Sequence, residues 1–440
     1  MNQAIPIDLS LDASWILPVA PRGKIFNDCS LLIKGSEIVA IQPWGEVDEH
    51  YCVKKHIDLS GKLLMPGLIN CHGHAAMTLL RGYADDLALD TWLNEHIWPA
   101  ESRWVNEEFV EDGTRLAIAE MQLSGTTCFS DMYFFPEIAA STAHDCGMRT
   151  QIVFPVFDFP NNWSKDADDG FHKGLTLRDT YRSQELISVG FGPHAPYTVN
   201  DDVLQRIATY AEELQAPVQI HLHESADEIE KSMQQFGMRP IQRLQELGLL
   251  SPLTQCVHMT QVDAAIDIPL LKENGAHVIH CPQSNMKLAS GHCPVQQILA
   301  EEINIALGTD GAASNNDLDL FCELQTAALL AKFTSNDPAA LQAMSALEMA
   351  TINGAKAIGQ EDRLGSLEPG KQADIIAIDL SNIASQPVYS PVSQLVYTAS
   401  GSRVSHSWIA GHAVVDNGKL CRIQEQELLT AASKWQARLK

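Results

Sequence analysis

Hydrophobic and polar positions divide the chain into two β-rich ends and a long alternating middle. Near the start, Ser14-Trp15-Ile16-Leu17-Pro18-Val19 is apolar. Residues 30–41 read as two strands joined at Lys34-Gly35-Ser36, a hairpin signal. Residues 373–379 and 404–411 have the same strand character near the other end. The two ends are therefore expected to build one small domain between them. In the middle, short apolar runs at 63–69, 126–131, 150–156, 187–192, 218–223, 255–258, 277–280 and 305–308 alternate with helical patterns such as 107–123 and 202–214. Eight strands alternating with helices over about 300 residues predict a (β/α)8 TIM barrel. A doubly wound sheet is the runner-up, but no Gly-x-Gly-x-x-Gly follows a strand here. The expected division is a small β-sandwich from residues 1–65 and 365–440, with a barrel at 66–364 inserted between them.

Length and charge narrow the function classes. A chain of 440 residues carries 30 Lys+Arg against 55 Asp+Glu, a net charge of −25. That balance excludes nucleic acid as a partner, because phosphate binding needs a basic face. It argues equally against an anionic membrane surface. Most of the acid is expected to be solvated surface. The first twenty residues lack a basic n-region, and no apolar run approaches the ~20 residues of a membrane span, so a cytoplasmic location is expected. The ten cysteines include no Cys-x-x-Cys pair and read as reduced thiols.

The histidines carry the chemical signal. His72-Gly73-His74 follows the first apolar run of the middle region, and positions i and i+2 on a strand share a face. Similar residues recur where later strands end: His194, His221-Leu222-His223-Glu224, His258, His280 and Asp310. Each alone could be a satisfied core histidine or a capping acid. Together they fall at the C-terminal strand ends, where barrel active sites are built. Three imidazoles and a carboxylate, His72, His74, His221 and Asp310, suit one divalent metal with a position open for water. Zinc is the default expectation, and iron or manganese fit the same donors. Glu224, three residues past His221, is placed to shuttle protons, against the plainer reading of a helix N-terminal acid. Cys71 should point away from His72, His223 and His280 read as supporting or core residues, and Asp85-Asp86 as a loop cap.

The ordered phrases Met65-Pro66-Gly67-Leu68-Ile69-Asn70-Cys71-His72-Gly73-His74, Gly192-Pro193-His194, His221-Leu222-His223-Glu224, His280-Cys281-Pro282, Gly308-Thr309-Asp310-Gly311 and Gly365-Ser366-Leu367-Glu368-Pro369-Gly370-Lys371 resemble the amidohydrolase superfamily over nearly the whole chain. Within it, the sequence is most similar to the 5-methylthioadenosine/S-adenosylhomocysteine deaminases. The resemblance implies that Trp92 packs on a nucleoside and Glu101 binds its ribose hydroxyls. It implies that His194 contacts purine N3 and that Glu224 moves protons through N1. His258 and Asp310 would hold and deprotonate the metal-bound water, with Ser314 near the site. Metal hydroxide would then attack C6 of the adenine ring, and ammonia would leave. Arg149 is a candidate for holding a homocysteine carboxylate, against a structural role opening the third strand. The stretch Val156 to Ser164 offers apolar and aromatic residues instead of a second arginine, which favours 5'-methylthioadenosine. The rival expectation is a guanine deaminase or triazine hydrolase of the same branch, with no ribose for Glu101 to bind. The superfamily is often oligomeric, so a homo-oligomer is a further expectation from the resemblance.

Overall fold

The computed structural model describes residues 4–440; residues 1–3, the start of the expected terminal domain, lie outside the described part. Eight parallel strands form the central sheet: β1 (Leu68–Asn70), β2 (Thr126–Asp131), β3 (Arg149–Val156), β4 (Ile187–Pro193), β5 (Val218–Leu222), β6 (Thr254–His258), β7 (His277–His280) and β8 (Ile305–Leu307). Each pairs with the next in order. The ring closes just past the strands, where the Cys71 amide donates to the Leu307 carbonyl at 2.9 Å and the Asp310 amide to the His72 carbonyl at 3.1 Å. Gly308 permits that closure, since a Cβ there would sit 2.8 Å from the His72 Cβ. Every residue of β1, β2, β3 and β5–β8 is buried. Strands covered on both faces need no alternation, which is why they read as continuous apolar runs. Helices such as Glu107–Leu123, capped by the Asn106 side chain on the Phe109 amide, cover the outside.

The second body is the small β-sandwich expected from the termini. Strands Leu9–Ile16, Phe26–Lys34, Glu37–Pro43 and His56–Pro66 join Ile375–Asp379, Val404–Ile409, His412–Asp416 and Lys419–Leu420 in one eight-stranded sheet. The seam between early and late segments is the antiparallel pairing of Ile375 through Asp379 with Pro66 through Lys62. A two-stranded pair, Ile5–Ile7 with Tyr51–Val53, lies beside it. The hairpin turns where the sequence pattern puts it, after Lys34. No helix among the described residues is long and apolar enough to cross a membrane.

One expected strand is divided. The run 63–69 does not form a single barrel strand: residues through Pro66 belong to the terminal sheet, and β1 begins at Leu68. The Gly67 amide still donates to the Asp374 carbonyl, and the Leu68 amide to that of Gly125. Both sheets bury this segment, so hydrophobicity alone does not mark where one ends. A Cβ on Gly67 would fall 2.0 Å from Thr127 Oγ1, so the crossing fits only a glycine.

Arg149, at the start of β3, fastens the two bodies. Its guanidinium is 1% exposed. Nε and Nη2 donate to both oxygens of Asp374 at 2.8 and 3.0 Å, and Nη1 donates to the Glu185 carbonyl. Asp374 also accepts the Ala410 amide at 2.8 Å. Removing one member of such a pair leaves an uncompensated buried charge. Arg149→Ala is expected to lower stability by about 3–5 kcal/mol in chemical denaturation. A loss under about 1 kcal/mol would mean that the pair contributes only as much as a surface contact.

Candidate active site

Donor atoms meet at the C-terminal mouth of the barrel in two triads that share His72: His72, His74 and Asp310, and His72, His221 and His258. His72 and His74 lie in the loop just past β1 rather than on a strand face, yet their rings are 4.9 Å apart. His221 comes from β5, and its Nε2 is 3.2 Å from His72 Nε2. Asp310 follows β8, with Oδ1 3.2 Å from His74 Nε2 and 3.5 Å from His72 Nε2. His258 closes a second cluster with His72 and His221.

Hydrogen bonds behind the rings decide which nitrogens carry protons. His72 Nδ1 faces Gln219 Oε1 at 2.7 Å, His74 Nδ1 faces the Met132 carbonyl at 2.6 Å, and His221 Nδ1 faces the His194 carbonyl at 2.7 Å. The Gln219 amide nitrogen is already committed to the Cys71 carbonyl, Ser130 Oγ and Gln255 Oε1, so its oxygen must face His72. All three Nδ1 atoms therefore donate, and all three Nε2 atoms turn lone pairs inward beside a carboxylate. Facing lone pairs repel, and a cation among them converts that repulsion into ligation. The donor set thus fits a divalent metal with nitrogen and oxygen ligands.

The remaining groups are held as tightly. Ser284 and Ser314 hydroxyls donate to Asp310 Oδ2 at 2.7 and 2.8 Å, leaving Oδ1 to the imidazoles. Asn285 Nδ2 lies 3.0 Å from His258 Nδ1, which turns the far nitrogen of that ring toward Glu224, with Nε2 3.7 Å from Oε2. His223, His258 and Asp310 have φ of 55°, 76° and 61°. These left-handed residues sit where the strands end, and each costs roughly 1–3 kcal/mol that the surrounding bonds must offset.

The donors open into a cavity at the barrel mouth. Trp92, Leu93, Ile97, Phe134 and Phe157 line its apolar side, with Glu101, Glu224, His194 and Ser314 among the polar groups. No lysine or arginine among the described residues lines it. Burial, reinforced by the nearby Asp310 carboxylate, raises the Glu224 carboxyl to about 8, so it holds a proton at neutral pH. Burial raises Glu101 to about 7 although the Tyr133 hydroxyl, donating at 2.6 Å, favours its ionised form. Burial and the neighbouring imidazoles hold His194 neutral, with a pKa lowered to about 3.

Most of the residues singled out in the sequence come together here: His72, His74, His221, His258, Asp310, Glu224, His194, Trp92, Glu101 and Ser314. Arg149 does not. It opens β3 at the opposite end of the barrel, saturated by Asp374 and Glu185, and cannot reach a ligand. His223 leaves the face it would share with His221 because β5 ends at Leu222; its ring accepts the Ile241 amide and lies 3.4 Å from Asp267. The Cys71 thiol points into an apolar cluster with Cys128 and Ile279. Asp85 pairs with Lys287 rather than simply capping its loop. Gln219, Ser284, Asn285 and Tyr133 are additional site residues. Ser284 and Asn285 stand in the phrase after His280, but nothing in the spacing marks Gln219 or Tyr133.

The chain is similar to known proteins over its whole length. The model of the amidohydrolase family matches residues 63–414. The chain is 60% identical over 439 residues to a 5-methylthioadenosine/S-adenosylhomocysteine deaminase of Teredinibacter turnerae, covering 100% of this chain and 99% of the relative. It is 54% identical to one of the same name from Saccharophagus degradans, covering 100% and 98%. It is also similar to a solved structure of an adenosine deaminase from Xanthomonas campestris with bound zinc, with a TM-score of 0.98, 43% identity and 99% of both chains covered.

The Gln219 contact makes a direct prediction. Gln219→Leu removes the acceptor that fixes His72, and metal affinity is expected to fall roughly 10- to 100-fold in a chelator competition. An unchanged affinity would show that His72 needs no such support.

Proposed function

This chain belongs to the amidohydrolase family, and from that premise we propose that it is a metal-dependent hydrolase that removes the 6-amino group of adenosine-type nucleosides, releasing ammonia and the inosine analogue, with 5'-methylthioadenosine as the preferred substrate. One observation carries the reading: a single cavity joins the donor cluster and Glu224 to Trp92 and Glu101. That combination pairs hydrolytic chemistry with a place for a sugar diol and a flat base.

One zinc ion is the cation proposed for His72, His74, His221 and Asp310, as these donors suit it and a 43% identical structure carries it. Bound there, it would act as a Lewis acid that lowers the pKa of water toward ~7. The protein's own groups do the rest. Trp92 gives the nucleoside an apolar wall. Glu101, when ionised, accepts both ribose hydroxyls. His194 is neutral, with its Nδ1 3.2 Å from Thr198 Oγ1, and contacts purine N3. Glu224 gives its proton to N1, which lets the ring accept the incoming oxygen at C6. Asp310, steadied by Ser284 and Ser314, takes the proton of the attacking water, and His258 holds that water in place. As the tetrahedral carbon collapses, the amine takes the proton that Asp310 accepted and leaves as ammonia, and the C6 hydroxyl returns its proton to Glu224.

Preference for the methylthio substituent follows from charge. The cavity holds Glu101, Glu224 and Asp310, and Arg149 is out of reach. A homocysteine carboxylate would find no lysine or arginine among the described residues along the cavity to pair with. Phe134 and Phe157 suit a thioether.

Two measurements test this. In an ammonia-release assay over 5'-methylthioadenosine, S-adenosylhomocysteine, adenosine, guanine and cytosine, the first should be turned over best. Glu101→Ala should cost nucleosides far more than any free base, at least ~10-fold for the loss of charge-assisted hydrogen bonds. Comparable turnover of the two thioether nucleosides would sink the preference, and equal losses in the variant would favour a free-base hydrolase. Second, Glu101 has a raised pKa of about 7 and must be ionised to accept the diol. KM for the nucleoside should therefore rise as pH falls through ~7 and should flatten in Glu101→Gln. A KM independent of pH in the wild type would remove Glu101 from diol recognition.

A further inference from the structure

The proton donor Glu224 sits on a chain segment that makes an abrupt turn, and something must hold it there. β5 ends at Leu222, and His223 adopts φ 55°, which swings Glu224 toward the cavity. The amides of His223 and Glu224 are left without strand partners by that turn. Both donate to one side chain: the His223 amide to Glu228 Oε1 and the Glu224 amide to Glu228 Oε2, each at 2.9 Å. Glu228 is buried, belongs to the helix Ala226–Phe236, and does not line the cavity. The carbonyl side of the same segment is held from the loop that follows β6. Thr260 Oγ1 donates within 2.8 Å of the Glu224 carbonyl and lies 3.1 Å from that of His223, and the Thr260 and Gln261 amides both donate to the His223 carbonyl at 3.0 Å.

We infer that Glu228, with Thr260, is a positioning residue for proton transfer: its carboxylate clamps two consecutive amides and so aims the Glu224 side chain. The inference rests on the reading of Glu224 as the proton donor. The chemistry is specific to a carboxylate. Two parallel N–H groups need two acceptor oxygens, and an amide side chain has one, so Glu228→Gln would face a backbone N–H with an NH2 group. Such a mismatch lets the turn relax by a fraction of an ångström to an ångström, enough to cost up to ~10²-fold in rate when proton transfer must be aligned. Substrate contacts made by Trp92 and Glu101 lie on another segment and should be unaffected. Glu228 has a simpler possible role as a helix-capping acid, since Ser225 caps the same helix by accepting the Glu228 amide. A capping role alone would affect stability and leave turnover per folded molecule unchanged.

The test is a double-mutant cycle on the metal-replete enzyme, reading kcat, KM and bound metal for Glu228→Gln, Glu224→Gln and the pair, with Thr260→Val as a second probe that keeps its shape. The expected result is a fall of roughly 10- to 100-fold in kcat for Glu228→Gln and a smaller one for Thr260→Val, with KM and metal content unchanged. In the Glu224→Gln background, Glu228→Gln should cost nothing more, because its effect passes through Glu224. Wild-type kcat in Glu228→Gln, a loss explained by missing metal, or a loss that stays additive in the double variant would overturn the proposal while leaving Glu224 as donor. Should Glu228→Gln fail to fold, Thr260→Val decides alone by the same criteria. Full activity of Glu224→Gln would overturn the donor reading and this proposal with it.

Discussion

Lone pairs of three imidazoles and the charge of one carboxylate are pressed together at the barrel mouth, and containing their repulsion organises the surrounding structure. His72 Nε2 and His221 Nε2 approach to 3.2 Å, and Asp310 stands beside both His72 and His74. Without fixed partners those rings would rotate apart or take up protons. Gln219, the Met132 carbonyl and the His194 carbonyl prevent the rotation by accepting from Nδ1, and two serines hold the far oxygen of Asp310. The cost of gathering like groups is spread over polar contacts inside a close-packed barrel, where each is stronger than it would be in water. A cation then binds a site already shaped for it.

The same closure ties the site to the fold. Asp310 reaches His72 because the last strand returns to the first, and Gly308 lets the two backbones approach. β1 in turn issues directly from the terminal sheet at Gly67, so the loop bearing His72 and His74 is anchored by that sheet only a few residues upstream. The buried pair of Arg149 and Asp374 fixes the sheet against the bottom of the barrel. Among the described residues, the small domain contributes no group to the cavity but holds the strand from which two of the donors emerge.

Individual residues show how far the sequence could be read. Strand patterns at 126–131 and 277–280 survive unchanged because short apolar runs bounded by polar turns have few other ways to be buried. The run 63–69 reads as one strand for the reason that makes it apolar: two adjoining sheets bury it, and only Gly67 marks the passage. His223 shares a two-residue spacing with His221, but spacing assigns a face only while the strand continues, and here it stops at Leu222. Arg149 shows the opposite difficulty. A buried arginine looks the same in sequence whether its partner is a ligand or an aspartate more than two hundred positions away.

The barrel with its composite β domain, the residue types at the strand ends and the kind of chemistry they allow are legible in the chain, because hydrophobic period and ligand identity are local properties of it. Tertiary structure alone decided which nitrogen of each histidine faces the metal position, that Tyr133 meets Glu101, that Glu228 grips the amides behind Glu224, and that Arg149 is sealed away from the cavity. Each of these depends on a hydrogen bond between atoms that only the folded chain brings within 3 Å or so, and hydrogen-bond direction falls off too steeply with distance and angle to be inferred from composition or spacing.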